Sequence, residues 1–310
     1  MSASRRHAWV NRGQTVLLVV LLFGLFILVG GLLFGEDGMW VMLGMAVAAT
    51  LLEPLASGRL TLRIYRARPI DVSAAPELWA TLAVIADRAG LPAPPRPYYV
   101  PSPQANAFAV GSRSASAIAL SDGLLRRLTP RQLAGVLAHE VAHIAHGDLR
   151  VMGLADTLSR LTHLASLVGQ VMLLVSVPLL LLGEVSINLP ALALLAFAPH
   201  LALLAQLGLS RVREFDADRR AAELTGDAFG LASALERIDT ASRNWRSLML
   251  PGFGNPEPSW LRTHPETQER IRRLLELGAD GEGLVAGGVH FDRLPHVQPR
   301  SRWRIGGVWY

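Results

Sequence analysis

Ala138-His139-Glu140-Val141-Ala142-His143-Ile144 is the stretch on which the reading of this chain turns. On a helix, side chains four apart lie one turn apart on the same face, so two imidazoles at this spacing can reach one metal ion. Glu140 stands beside them. It can accept a proton from a water polarised by the metal and later donate it to a leaving amine. The preceding residues, Leu128-Thr129-Pro130-Arg131-Gln132, open a helix: Thr129 caps it, Pro130 suits the first helical position and Gln132 completes a capping box. The spacing predicts a helix from Thr129 through Ile144.

Cysteine is absent, which removes disulfides, thiolate metal sites and a cysteine nucleophile together. Any metal must be held by His, Asp or Glu, and a catalytic zinc site needs a third protein ligand. A third His six residues beyond His143, with Gly three beyond, is excluded, because those positions are Leu149 and His146. A later segment, Ser210-Arg211-Val212-Arg213-Glu214-Phe215-Asp216-Ala217-Asp218, offers a carboxylate instead. Glu214 and Asp218 are four apart and share a helix face, so Glu214 can bind zinc while Asp218 orients a ligating imidazole. Taken alone, the segment also reads as a solvated charged helix after an apolar run. His146 suits a surface position or one beside the metal ligands, and Asp148 suits an anchor for the helix end.

The chain is 51% hydrophobic and only 18% charged, where soluble domains run near a quarter charged. Four long runs account for the deficit: 13–35, 39–56 (uncharged up to Glu53), 161–183 and 185–210. A helix rising about 1.5 Å per residue over such runs approaches or exceeds a ~30 Å hydrocarbon core. A cleaved signal peptide is the competing reading of the first run, but its apolar core is too long and a second run follows directly. Arg5, Arg6 and Arg12 precede the first run; Arg59, Arg63, Arg66 and Arg68 follow the second. Arg150 and Arg160 precede the third, and Arg211, Arg213, Arg219 and Arg220 follow the fourth. The two connecting turns carry only Glu36, Asp37 and Glu184. By the positive-inside rule both termini and the central region face the cytoplasm. The net charge of +5 is carried by dispersed arginines without lysine, and there is no basic patch interleaved with aromatics. Nucleic acid is therefore not an expected partner.

The expected organisation is a transmembrane hairpin over 1–56, a first catalytic part over 57–160, a second hairpin over 161–210, a second catalytic part over 211–285 and a tail over 286–310. Pro76 to Gly90 reads as a helix, Tyr98 to Val100 as a short strand, and 106–111 with 116–121 as a hairpin. A separate helix is expected to begin near Arg211 and end near Gly226.

Four blocks in order resemble the HtpX-type membrane zinc metalloendopeptidases, which are related to the CAAX prenyl endopeptidases. These are Asn106-Ala107-Phe108-Ala109, the His139–His143 block, the Arg213–Asp218 block, and Thr263-His264-Pro265 followed by Arg270. The resemblance covers about residues 10–280. It implies a mainly α integral membrane protein with about four transmembrane helices and a gluzincin-like α+β zinc metalloprotease domain containing a small β-sheet. It further implies His139, His143 and Glu214 as ligands of one Zn2+ per subunit, and Glu140 as general base. Asn106, His264 and Arg270 would lie near the substrate or the developing oxyanion, His264 as a catalytic donor. His146 departs from the family, where Asn is commoner. The expected substrates are membrane or misfolded proteins, cut at the cytoplasmic side of a bacterial inner membrane, with an edge strand at 116–121 receiving an extended segment. A non-proteolytic zinc-containing scaffold or sensor is the alternative, and an intact Glu140 argues against it. A site-specific CAAX-type protease fits less well with four spans than with a larger membrane chamber.

Overall fold

The computed structural model describes residues 3–182, 189–246 and 267–280, and within them most of the chain is helical. Among the described residues, eight helices and four short strands follow one another as α1 (Ala3–Ile64), β1 (Arg68–Pro69), α2 (Pro76–Arg88), β2 (Arg96–Val100), β3 (Ala107–Ser112), β4 (Ala115–Ser121), α3 (Asp122–Arg127), α4 (Pro130–His146), α5 (Asp148–Leu181), α6 (Leu189–Thr225), α7 (Ala228–Arg246) and α8 (Thr267–Asp280). These fall into two units. One comprises 3–57, 147–182 and 189–216, the other 58–146, 217–246 and 267–280.

The first unit is the apolar one. Three helical stretches are long and apolar enough to cross a membrane: Thr15–Ala49, Asp148–Val175 and Ala193–Thr225. The first is not straight. Gly35 takes φ 68°, ψ −150°, which breaks α1 into two arms. A side-chain carbon added at Gly30 would fall 2.7 Å from the Gly38 carbonyl oxygen, so the arms double back on each other. Glycine is required where backbones approach this closely. The four runs read from the sequence therefore lie on the two arms of α1 and on α5 and α6. Leu22, Phe26 and Val29 of one arm, Met42 and Ala46 of the other, Ala155 and Leu158 of α5, and Ala198, Ala202 and Ala205 of α6 form one buried cluster. Many large apolar side chains point outward, among them Leu17, Val20, Leu174, Val175 and Leu204. In water such a surface is an aggregation hazard, whereas in a bilayer it is the face the solvent requires.

Polar contacts set the register of α5 against α6. Arg213 Nη2 donates to Asp148 Oδ1. Gln206 Nε2 donates to Asp156 Oδ1 at 3.1 Å, and Ser166 Oγ donates to the Leu195 carbonyl. The last contact has a definite cause. Pro199 lies inside α6 and has no N–H, so the carbonyl four residues earlier, that of Leu195, is freed and the Ser166 hydroxyl satisfies it.

The helices extend beyond the apolar runs. α5 begins at Asp148, and α6 runs unbroken to Thr225, so no separate helix starts near Arg211. Hydropathy marks only the membrane-facing part of a helix. Backbone hydrogen bonding continues until a stop signal, here Gly226 with φ 71°.

The second unit is a small α+β body. Its sheet has the order β1-β2-β4-β3, with β2 and β4 parallel and the other pairs antiparallel. Ala107 pairs with Leu120 and Ser112 with Ala115, the hairpin expected from the sequence. The order corrects one expectation: residues 116–121 form the inner strand β4, and β3 is the edge. The interior place of β4 follows from its burial, since Ala117 through Ser121 are all buried. α4 starts as expected, with the Gln132 N–H donating to Thr129 Oγ1 at 3.3 Å and the Thr129 N–H donating to Gln132 Oε1 at 3.0 Å. It packs on α7 through Gly135, where an added carbon would sit 3.0 Å from Leu231 Cα. Thirteen consecutive residues of α4, Leu133 to Ala145, are buried, so its His and Glu are interior groups.

Candidate metal centre

α4 delivers His139 and His143 from adjacent turns of one buried face. Their Nε2 atoms lie 3.2 Å apart, with the rings nearly perpendicular at 88°. α6 delivers Glu214, and one ligand atom from each of the three residues lies within 4.8 Å of the others. All three side chains are buried, Glu214 to 1% exposure. Four residues on along α6, Asp218 turns to the same centre, its Oδ1 3.0 Å from His139 Nδ1. A carboxylate at Nδ1 fixes the ring orientation and leaves Nε2 for a metal.

Asp218 is itself held. Arg270 of α8 forks onto it, Nε donating to Oδ2 at 2.7 Å and Nη2 to Oδ1 at 2.6 Å. Arg270 Nη2 also lies 3.4 Å from His139 Nε2. Both members of this ion pair are nearly inaccessible to solvent. A two-pronged guanidinium–carboxylate contact fixes direction as well as charge. Arg270 therefore touches the centre through Asp218 and along the edge of His139.

Does this donor set suit a zinc ion? Two imidazoles and one carboxylate are the protein ligands of a catalytic zinc with a position left open. Two nitrogens bound to one tetrahedral ion at ~2.0–2.1 Å lie about 3.3 Å apart, close to the separation found. Charge agrees as well. Glu140, Glu214 and Asp218 are buried carboxylates, and of these Asp218 is paired with the Arg270 guanidinium. A divalent cation at Glu214 would supply positive charge to a buried carboxylate, whose burial is costly without compensation. The residues fit zinc.

Of the other residues singled out from the sequence, Asn106 lies just before β3 and is half-buried. Its N–H donates to Ser121 Oγ at 2.8 Å and its carbonyl accepts from the Ser121 N–H at 3.0 Å, which fixes the start of the edge strand. His264 and the tail after Asp280 lie outside the described residues. His146 is exposed at the end of α4. The sequence reading did not single out the partner of Asp148. That residue is fully buried and paired with Arg213, which immediately precedes Glu214. The only signal available was an Arg beside a candidate ligand, and a lone charge offers no clue to a partner 65 residues away.

Comparison with known proteins agrees in kind. Residues 73–277 match the description of peptidase family M48. The chain is 34% identical over 292 residues to a protein described as a protease HtpX homolog from Burkholderia thailandensis, a match covering 88% of this chain and 98% of the relative. A protein of the same description from Burkholderia mallei matches with the same figures. Among solved structures, Ste24p of S. mikatae is similar with a TM-score of 0.46 and 19% identity, over 83% of this chain and 61% of that one.

Proposed function

This chain belongs to peptidase family M48 and is a membrane zinc metallopeptidase of the HtpX-like kind, and from that membership we propose that it cuts peptide bonds of membrane or misfolded proteins at the cytoplasmic face of a bacterial inner membrane, using His139, His143 and Glu214 as metal ligands and Glu140 as general base. The observation that carries the assignment of roles is the convergence of the three buried ligand atoms within 4.8 Å, with Glu140 adjacent to His139 on the same helix.

Held by His139, His143 and Glu214, zinc would supply Lewis acidity to the scissile carbonyl and to the attacking water. Glu140 would take the proton from the attacking water and pass it to the amine as the bond breaks. Asp218 holds His139 in one tautomer and orientation, and Arg270 holds Asp218. Arg270 and His264 are also the candidates for donors to the oxyanion, with Asn106 beside the substrate path. The outer strand β3 has the position in the sheet at which an extended peptide can add as a further strand. The cytoplasmic orientation is supported by the arginines that flank the apolar runs. The domain plan supported by the sequence is a pair of membrane hairpins, each followed by one part of the catalytic body.

Glu140→Gln separates base from ligand. The variant should retain zinc while endoproteolysis of an unfolded protein substrate falls by roughly 100- to 10,000-fold. Cleavage at the wild-type rate by zinc-loaded Glu140→Gln would refute this mechanism.

A further inference from the structure

We propose that the buried Asp148–Arg213 pair is a positioning clasp for Glu214, setting the metal affinity of the centre although neither residue is a ligand. The inference rests on the reading of His139, His143 and Glu214 as the metal set.

Consider the chain around the pair. α4 carries His143 and ends at His146, Gly147 stops it with φ 75°, and Asp148 opens α5. Asp148 is thus five residues from one ligand. On α6, Arg213 is joined by a single peptide bond to another, Glu214. The Arg213–Asp148 contact closes the loop between these short arms. Successive residues of a helix point about 100° apart, so anchoring Arg213 fixes the rotation of α6 from which Glu214 projects.

The pair is built for one arrangement. Asp148 is 0% exposed and the Arg213 side chain 10%, so each charge needs the other. Along α5 and α6 the partners Asp148–Arg213, Asp156–Gln206 and Ser166–Leu195 keep one antiparallel register. A slip of either helix by one turn would break all three. The first of them is the contact adjacent to the ligand, whereas Asp156–Gln206 lies two turns away on each helix. That difference separates positioning from general bundle stability. Arg213 reaches Asp148 through Nη2, and its Nε has no hydrogen-bond partner among the described residues. A single-point contact of this kind is one that a lysine ammonium can reproduce.

The test uses the full chain in detergent, measuring zinc affinity by competition with a chromogenic chelator and the visible absorption of the cobalt-substituted protein. Arg213→Gln and Asp148→Asn should each weaken zinc binding by roughly 10- to 100-fold, the range for groups that support metal ligands, and alter the cobalt spectrum. Arg213→Lys should restore most of the affinity. Asp156→Asn should lower the melting temperature and leave zinc affinity and the cobalt spectrum as in the wild type. Glu214→Gln is the arm for the underlying reading: unchanged affinity there would mean that Glu214 is not a ligand. If Glu214→Gln loses zinc while Arg213→Gln and Asp148→Asn bind it like the wild type, the clasp alone is overturned. It is also overturned if Asp156→Asn weakens zinc as much as Arg213→Gln, since the loss then reports the bundle at large. Should Arg213→Gln fail to fold, the near-isosteric Asp148→Asn decides by the same criteria.

Discussion

Asp218 is the residue through which the centre is held to its surroundings. It receives the two-pronged Arg270 contact and faces His139 Nδ1, all inside the protein. Asp218→Ala should therefore have two effects. Zinc affinity should fall by roughly 10- to 100-fold as His139 loses its orienting carboxylate. Stability should fall by about 3–5 kcal/mol, because the Arg270 guanidinium is left buried without a counter-charge. Chelator competition and denaturant unfolding read the two separately, and wild-type values in both would dismiss the network. His139, Glu140 and His143 were legible in the sequence because helical periodicity brings i and i+4 together with no tertiary information. Glu214 and Asp218 were legible for the same reason within their own helix. The grip of Arg270 on Asp218 spans 52 residues, and no periodicity encodes a contact of that length.

Among the elements, α4 was the most readable, since its cap, its proline and its period agree. Its packing was not, because Gly135 meets Leu231 of α7 across a distance the sequence does not reveal. An alanine there must push backbone aside, so Gly135→Ala should destabilise by about 1–3 kcal/mol, visible as a lowered unfolding midpoint. The start of α4 is also tied to α7 by Arg131, whose Nε and Nη2 donate to the Asp227 carboxylate at 2.5 and 2.7 Å. The Arg131 hydrogen bonds hold the Asp227 carboxyl below its ordinary value, with burial opposing and the Gly230 N–H assisting. A depressed acid contributes stability above its unfolded pKa of about 3.9 and loses it as pH falls through the lower folded value. Asp227 is partly exposed, so the contribution is small, about 1 kcal/mol or less. The stability difference between wild type and Asp227→Asn should thus be present at pH 7 and vanish on acidification below that window. A difference that instead grew as pH fell would contradict the assignment. The short helix α3 and the edge position of β3 were not legible, because strand order is decided by pairing between segments rather than by the pattern within one.

For the whole molecule, composition and the four apolar runs placed the chain in a membrane without reference to any motif. The runs understated the helices that carry them, since α5 and α6 extend well into charged sequence. The orientation proposed here rests on arginine placement, and reporter fusions at the C-terminus test it. A reporter active only in the cytoplasm is expected, and one active only in the periplasm would reverse the topology. The central claim is that a buried His139, His143 and Glu214 set holds the zinc that makes this chain a peptidase. Its most direct test is the zinc content of the detergent-purified protein measured alongside endoproteolysis before and after chelation. About one zinc per chain is expected, with cleavage lost on chelation and regained when zinc is returned. Folded protein that carries no zinc and still cleaves its substrate would contradict it.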